Sequence, residues 1–304
     1  MPTINKNQLI RFKKPFIVAL IPAYNEEATI ASIIIKTQKH VDVVIVCDDG
    51  STDMTREIAK RLGAIVLIHE RNLGKGAALK SLFQKARELH ADIAITLDAD
   101  GQHDPNEIPK LVEKLIRTDA DIVIGSRFLK QPSKIPSHKI IGNKLLNLII
   151  NAGVTDTQSG FRAYSKRAIS LITPSEMGMG VDSEILIKAK EKNLKIVEVD
   201  ITANYSVPRP SKLHPIRHRF EVILTVLKYK SMQHILLFYG IPGILALLVG
   251  GLLWLQALQI LATHERLMIN IILMAIGTTI AGSILMTTAI ALWVLMSIVR
   301  EKAG

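Results

Sequence analysis

Residues 94–115, "AITLDADGQHDPNEIPKLVEKL", pass from an apolar strand-like run into two aspartates one residue apart, and then into a helical pattern. Gly101 and Pro105 favour a turn, so the strand ends there and both carboxylates can converge. Asp98, Asp100 and Gln102 offer the hard oxygen ligands that Mg²⁺ or Mn²⁺ prefers, typically shared with a phosphate. A polar turn at a strand end is the alternative for this motif alone. The surrounding sequence therefore has to distinguish a metal site from a polar turn.

Further apolar, β-branched runs lie on both sides of this stretch and alternate with helical patterns. Such runs are typical of strands that are covered on both faces. Gly63 closes the second helical pattern. The alternation predicts an open α/β sheet, in which ligands bind beyond the carboxyl ends of the strands. The predicted strands are 16–23, 41–49, 64–70, 92–100 and 121–127.

Polar clusters follow four of these predicted strands, at the edge where a ligand would bind. One carboxylate pair at a strand end is common, whereas four ends with carboxylates, amides and an arginine indicate one composite site. The signatures of dinucleotide-binding, P-loop and Ser-His-Asp hydrolase sites do not occur in the sequence. The clusters are "AYNEE" (23–27), "DDGSTD" (48–53), "DADGQ" (98–102) and "GSR" (125–127).

Two uncharged apolar stretches, 235–263 and 267–299, lie near the C-terminus, and each is long enough to cross a bilayer. Only residues 264–266 separate them, which predicts a transmembrane hairpin; two buried core helices are the alternative. Small residues would permit close packing of these helices, and a homo-oligomer through them is left open. They are Gly250, Gly251, Gly277, Ala281 and Gly282.

Charge and cysteine content predict where the polar part lies. Lysine and arginine exceed the acids by eleven. Many basic residues precede the first apolar stretch, and Arg300 and Lys302 follow the second, so both termini and the polar part are expected in the cytosol, at a cell or endomembrane membrane. Residues 11–27 do not resemble a secretory signal. The single cysteine, Cys47, agrees with a reducing compartment and is interpreted as a small buried strand residue.

Five motifs in this order, on an α/β frame, resemble the GT-A glycosyltransferases of family 2. More narrowly, they are similar to the polyprenyl-phosphate sugar transferases, such as the dolichyl-phosphate mannose synthases and glucosyltransferases. The resemblance covers about residues 15–213 and implies a mixed, mostly parallel central sheet, with a C-terminal helix pair like the membrane anchor of some members. The motifs are "IPAYNEE", "DDGSTD", "DADGQH", "GSRF" and "DTQSGFRAYS".

The resemblance and the apolar stretches together divide the chain into three parts: a catalytic domain (1–206), an interfacial segment (207–234) and two transmembrane helices (235–304). In the interfacial segment, Phe220, Ile223, Leu224 and Leu227 recur at helical spacing among basic residues. This pattern predicts a helix in the cytosolic membrane interface that attracts the acceptor phosphate. A plain amphipathic core helix is the alternative.

The resemblance also implies a donor site for a nucleotide diphosphate sugar, with Mg²⁺ or Mn²⁺ as cofactor. Asp48 and Asp49 are implied to reach the base or ribose. A helix N-terminal cap is an alternative role for Asn25 and Glu27, and the two roles can coexist. The implied metal ligands are Asp98, Asp100 and Gln102. The implied donor-binding residues are Pro22, Ala23, Tyr24, Asn25, Glu27, Asp48, Asp49, Gly50, Lys75, Asp98, Ala99, Asp100 and Lys212.

Arg127 matches an arginine that contacts the acceptor phosphate in relatives. Lys139 stands where mannose synthases have a second arginine, and it would supply a point charge instead of a fork. The implied catalytic residues are Asp100, Asp156, Arg127 and Lys139. The predicted acceptor-binding residues are Arg127, Lys139, Ser159 and Arg209, together with Arg217 from the basic interfacial segment.

Asp156 of "DTQSGF" is treated as catalytic in some relatives. A lipid phosphate is already ionised near neutrality, since its last pKa is about 6, and it needs no strong base to attack. We therefore interpret Asp156 as a group that orients sugar or acceptor, with a strand-end turn as the alternative. Asp182 and Glu184 are further candidates for the sugar, or acids at a helix N-terminus.

The sequence thus predicts transfer of a hexose or N-acetylhexosamine from a nucleotide diphosphate sugar to polyprenyl or dolichyl phosphate, with inversion. UDP-glucose or UDP-N-acetylglucosamine is favoured over GDP-mannose, and no nucleic-acid partner is expected. A processive polysaccharide synthase is one alternative, but its Gln-x-x-Arg-Trp motif is missing and both tryptophans, Trp254 and Trp293, lie in the apolar stretches. A non-catalytic membrane scaffold is the other.

Overall fold

The computed structural model describes residues 14–129, 153–178, 180–202, 234–264 and 267–303, together with Leu224, Leu227 and Ser231. The chain divides into two compact units, Met1–Val226 and Leu227–Gly304. The first unit contains the strands and the predicted site. The second contains the two apolar helices. Nearly all of the predicted interfacial segment lies outside the described residues.

A seven-stranded sheet forms the centre of the first unit. Its strands are β1 (Ile17–Ala23), β2 (Val43–Asp48), β3 (Ile65–Ile68), β4 (Ile93–Thr96), β5 (Ile122–Ser126), β6 (Arg162–Ser165) and β7 (Ile196–Asp200). Their order is β3-β2-β1-β4-β6-β5-β7. Among the described strands, β6 alone runs antiparallel to its neighbours. The predicted mixed, mostly parallel sheet is confirmed.

Helices connect the strands and cover the sheet. They are α1 (Ile30–Thr37), α2 (Thr55–Arg61), α3 (Lys75–Glu88), α4 (Ile108–Thr118), α5 (Lys166–Leu171) and α6 (Val181–Glu191), with a 3₁₀ turn at Pro105–Glu107. Residues in β1, β4 and β5 are buried almost throughout, as expected of strands covered on both faces. Gly63 follows the end of α2 with φ 80°, the left-handed conformation of a helix stop.

Strand β3 differs from the expectation of full cover, because it lies at the edge of the sheet and its side chains are partly exposed. Its neighbour β2 holds Cys47, which is completely buried. Burial, together with the charges of Asp49 and Asp48, raises the pKa of the Cys47 thiol to about 12. The interpretation of Cys47 as a buried strand residue is confirmed.

The second unit is a helical hairpin. A π-helical turn, Leu236–Gly240, leads into α7 (Ile241–His264), and α8 (Ile269–Ala303) follows. In the most apolar part of each helix, only 17% of the residues of the first and 11% of those of the second are buried, unlike in the core helices of soluble proteins. By length and composition, both helices can cross a membrane.

The glycines of the hairpin fall into two groups. A Cβ added at Gly282 would lie 2.9 Å from the backbone nitrogen of Leu247 and 3.0 Å from the carbonyl oxygen of Gly243. Nothing described lies within 4 Å of a Cβ added at Gly251 or Gly277. Gly282 therefore lies where α7 and α8 touch, whereas Gly251 and Gly277 do not.

Candidate active site

Hydrogen bonds tie the segments after β1 and β2 together. Asn25 has φ 53°, and its Oδ1 accepts from the Thr52 N–H at 2.7 Å. Its own N–H donates to Ser51 Oγ at 2.9 Å. Glu27 Oε2 accepts from the Met54 N–H at 3.0 Å, at the start of α2. Glu27 thus binds the N-terminus of α2, whereas the helix that follows it, α1, begins at Ile30 after the N-cap residue Thr29.

The remaining donor candidates near these strand ends lie as follows. Pro22 and Ala23 end β1, and Tyr24 is half-exposed just beyond it. Gly50 adopts φ 75° in the turn after β2, and Ala99 is buried. Contact of these residues with a nucleotide is a prediction that the structure leaves untested.

Asp48 and Asp49 are buried, and protein groups bind their carboxylates. Asp48 Oδ2 accepts from Arg56 Nε at 3.0 Å. Asp49 Oδ1 lies 2.6 Å from His69 Nδ1, and its Oδ2 accepts from the Gly74 N–H at 2.8 Å. Asp49 therefore fixes the segment that leads into α3. Contact of either carboxylate with the base or ribose stays a prediction.

Lys75, the first residue of α3, bridges two carboxylates from distant segments. Its Nζ lies 2.8 Å from Asp98 Oδ1 and 3.0 Å from Asp182 Oδ2. Burial alone would lower the pKa of Lys75, but the charges of Asp182 and Asp98 outweigh burial and raise it. Burial would raise the pKa of Asp98, but Lys75, His103 and Arg127 together lower it to about 2. Lys75 and Asp98 are therefore both charged.

Gly160 lies directly against this ion pair. A Cβ at Gly160 would be 2.7 Å from Asp98 Oδ2 and 2.9 Å from Lys75 Nζ, closer than ordinary van der Waals contact. Any side chain would displace one of the two charged groups. The glycine of "DTQSGF" therefore allows this loop to approach the end of β4.

Residues 173–178 cover the N-terminus of α3. The Gly76 N–H donates to the Met177 carbonyl at 2.9 Å, and a Cβ at Gly76 would lie 1.8 Å from the Glu176 carbonyl oxygen. Glu184 is completely buried and accepts from the Glu176 N–H at 2.8 Å. Glu184 thus stabilises this covering segment, and the "GKG" glycines admit it.

The loop after β4 carries the predicted metal ligands, and also His103, which the sequence analysis did not single out. The His103 ring is buried and stacks on Phe161, with centroids 5.3 Å apart. Burial lowers the pKa of His103 despite the opposing charges of Asp98 and Asp100. Among the described buried side chains, His103 has an Nδ1 without a hydrogen-bond partner. Its position directly after "DADGQ" was the available signal.

The donor atoms of this loop suit a hard divalent cation that is shared with a phosphate. Gln102 is buried, and its N–H donates to Asp100 Oδ1 at 3.0 Å. Within the described parts of the chain, no three His, Cys, Asp or Glu side chains form a group that could hold a metal alone. The Asp98 and Asp100 carboxylates and the Gln102 amide are oxygen donors of the kind that Mg²⁺ or Mn²⁺ prefers, and a bound diphosphate would supply the remaining ligands.

The structure brings together two of the predicted catalytic residues, Arg127 and Asp156. Arg127 Nε lies 2.7 Å from Asp156 Oδ2, and Nη2 lies 2.9 Å from Oδ1. The Arg127 backbone N–H also donates to Oδ2, at 3.2 Å. Asp156 is completely buried, whereas 15% of the Arg127 side chain is exposed. This bidentate pair fixes the plane of the guanidinium, which also acts electrostatically on Asp98.

Arg162 is a buried arginine that the sequence analysis missed. It donates to the backbone carbonyls of Ser159, Thr157 and Asp182 at 2.8, 3.0 and 3.0 Å. It therefore holds the "DTQS" loop in shape. Ser159, a predicted acceptor contact, is completely buried, and its hydroxyl accepts from the Phe161 N–H at 3.4 Å. An arginine inside the strand sequence "FRAY" was the available signal.

Four predicted site residues lie outside the described residues, so their roles stay predictions. They are Lys139, Arg209, Lys212 and Arg217.

The mixed, mostly parallel sheet has a GT-A-like architecture, and its carboxyl edge carries an Asp-x-Asp loop, a bridging lysine and a fixed arginine. The family model described as glycosyl transferase family 2 matches residues 18–172, and the chain belongs to this family. The family match and the similarity to curated glycosyltransferases together show that the chain is a glycosyltransferase.

Two curated relatives and one solved structure illustrate the similarity. The UDP-N-acetylglucosamine–dolichyl-phosphate N-acetylglucosaminyltransferase of Methanococcus voltae is 39% identical over 217 residues, which cover 62% of this chain and 86% of that one. The dolichol-phosphate mannosyltransferase of Pyrococcus furiosus is 29% identical over 254 residues, covering 78% and 71%. Glucosyl-3-phosphoglycerate synthase from Mycobacterium tuberculosis, with Mn²⁺, UDP-glucose and phosphoglyceric acid, has a TM-score of 0.56 and 25% identity, covering 71% and 79%.

Proposed function

We propose that the chain transfers a hexose or N-acetylhexosamine from a nucleotide diphosphate sugar to a polyprenyl phosphate, with dolichyl phosphate as the expected acceptor. The observation that carries this proposal is the Arg127–Asp156 pair, which holds a cation rigidly in the electrostatic reach of Asp98. The loop that carries Asp98 thus suits a metal-bound diphosphate, and Arg127 suits a second phosphate. A reaction between a nucleotide sugar and a phosphate acceptor needs both.

On the donor side, Asp98, Asp100 and Gln102 would hold Mg²⁺ or Mn²⁺ together with the diphosphate. When bound, the ion would neutralise the charge that grows on the leaving nucleotide. Lys75 is charged and adjoins Asp98, so it adds a fixed positive charge on the donor side. A solved relative contains Mn²⁺ with UDP-glucose, which supports metal dependence.

On the acceptor side, the attacking atom is an oxygen of the lipid phosphate. It forms a bond to the anomeric carbon while the bond from that carbon to the diphosphate oxygen breaks, and the nucleoside diphosphate leaves. No proton has to move, because the phosphate is already ionised near neutrality. Arg127 holds this phosphate, and Asp156 orients Arg127. A single displacement of this kind inverts the anomeric carbon.

UDP-N-acetylglucosamine or UDP-glucose is the favoured donor, and the Methanococcus voltae relative supports the first of these. Helices α7 and α8 would anchor the enzyme by crossing the membrane twice. The basic residues that flank them favour a cytosolic catalytic domain and two cytosolic termini.

A radiolabel transfer screen tests this function. The purified chain in detergent receives dolichyl phosphate, Mn²⁺ or Mg²⁺, and labelled UDP-glucose, UDP-N-acetylglucosamine or GDP-mannose in turn. We expect one donor to give an organic-extractable product that mild acid hydrolyses to the free sugar, and an Arg127→Ala variant to give little of it. No lipid-linked product from any donor would overturn the proposal, whereas labelled polymer would identify a polysaccharide synthase.

A further inference from the structure

Glu198 in β7 makes contacts unlike those of a solvent-exposed edge residue. It lies opposite Ile124 in the parallel register of β7 and β5. Its Oε2 accepts from the Thr155 N–H at 2.8 Å. Its Oε1 accepts from Thr155 Oγ1 at 3.0 Å and from the Asp156 N–H at 3.0 Å. One carboxylate thus binds two successive backbone amides and a hydroxyl.

These contacts continue to the guanidinium of Arg127 by two routes. Asp156, whose N–H Glu198 binds, holds Arg127 through both carboxylate oxygens, at 2.7 and 2.9 Å. Thr155 Oγ1 lies 2.7 Å from Ser126 Oγ, and Ser126 immediately precedes Arg127 in the chain. Glu198 therefore constrains both the carboxylate that holds Arg127 and the backbone that carries it.

We propose that Glu198 is a positioning residue for the acceptor phosphate. Its carboxylate fixes the direction of Asp156 and, through Asp156, the plane in which Arg127 presents its N–H groups. The inference rests on the proposed function, in which Arg127 binds the acceptor phosphate. The donor-side groups lie on other segments, since Lys75 begins α3 and Asp98 follows β4. Loss of Glu198 should therefore affect the acceptor and spare the nucleotide sugar.

Glu107 provides a matched control. Its carboxylate accepts from the Thr202 N–H at 3.1 Å and from Thr202 Oγ1 at 2.9 Å, the same kind of contact that Glu198 makes with Thr155. Replacing either glutamate by alanine removes a carboxylate from a threonine. Only Glu198 is linked by the contacts above to Asp156 and Arg127.

The test compares Glu198→Ala, Glu198→Gln and Glu107→Ala in full-length enzyme with dolichyl phosphate. We expect Glu198→Ala to raise the KM for dolichyl phosphate about tenfold or more, as for the loss of hydrogen bonds to a charged group. The KM for the nucleotide sugar and the affinity for UDP should stay unchanged. Glu198→Gln keeps the volume and one acceptor oxygen, so it should recover part of the effect and carries the test if the alanine variant does not fold. Glu107→Ala should leave both KM values unchanged.

A double variant separates positioning from general support of the fold. If Glu198 acts through Arg127, adding Glu198→Ala to Arg127→Ala should raise the acceptor KM no further. Fully additive effects, equal rises in both KM values, or identical behaviour of Glu198→Ala and Glu107→Ala would overturn the inference alone. An unchanged acceptor KM in Arg127→Ala would instead overturn the assignment of the phosphate to Arg127, and this inference with it.

Discussion

Asp100 and Asp104 lie four residues apart in one loop and differ in what they bind. Asp100 is one of the predicted metal ligands. Asp104 Oδ1 instead accepts from the Asn106 N–H at 3.1 Å and caps the 3₁₀ turn. Asp100→Asn should lower kcat about a hundredfold or more, because metal-assisted stabilisation of a leaving phosphate is worth several kcal/mol. Asp104→Asn should retain most of the rate. The measurement is initial rate against Mn²⁺ concentration, with melting temperature as the check on folding.

Chelation gives the opposing outcome for this prediction. Full activity in excess EDTA would show that neither Asp100 nor its loop serves a metal ion.

Asp156→Asn tests orientation against base catalysis. Asparagine keeps one acceptor oxygen but loses the charge-assisted bidentate pair with Arg127, so kcat/KM for the acceptor should fall about 10- to 100-fold. The alkaline limb of the pH profile should stay where it is, because the nucleophile is already ionised. The measurement is kcat/KM across pH for both proteins. Loss of an ionisation near the operating pH would identify Asp156 as a base.

Local sequence motifs indicated some candidate site residues directly, as with Asp98 and Asp100. The contacts between these side chains and residues distant in the sequence were harder to predict. Lys75 and Asp182 are 107 residues apart, and Thr155 and Glu198 are 43 apart, so only the strand order brings each pair together. Glu198 occupies an edge strand, where a lone acid resembles a solvated residue.

The short strand β6 explains most of these meetings. It lies between β4 and β5 and runs antiparallel to both, so the loop that precedes it reaches the edge where those two strands end. Asp156 thereby meets Arg127, and Gly160 meets Asp98. Long apolar runs predicted the parallel strands β1 to β5 but not the parallel strand β7. The sequence "RAYS" has only four residues, and one of them is a buried arginine. Neither length nor periodicity marks such a strand.

The glycines of the hairpin formed by α7 and α8 differ in a testable way. Gly282→Leu would force a side chain into the backbone of α7, where an added Cβ already lies 2.9 Å from the Leu247 nitrogen. We expect a lower melting temperature for the hairpin in detergent, by several degrees, as for overpacking. Gly277→Leu, with open space around it, is the matched control. Equal melting temperatures for the two variants would place the helix contact elsewhere.

At the scale of the whole molecule, the chain combines a polar catalytic unit with an apolar helical pair. The sequence predicted these helices because uncharged apolar stretches of that length are typical of membrane spans. Orientation rests on a different argument, the surplus of eleven basic over acidic residues and their place beside the helices. Helix length carries no information about sidedness, so that part of the prediction needs its own experiment.

Because the thiol of Cys47 is completely buried, membrane orientation can be measured by labelling introduced cysteines. With its pKa raised to about 12, this thiol has almost no thiolate at neutral pH, and the chain holds no other cysteine. We therefore expect the native protein not to react with an impermeant maleimide, so that no cysteine-free background is needed. In sealed vesicles of known orientation, Thr263→Cys should be labelled from the non-cytosolic side, and Ala303→Cys only from the cytosolic side. The reverse pattern would invert the proposed orientation. Because the buried Cys47 does not compete for the reagent, every label would mark the side of the membrane on which the introduced cysteine lies.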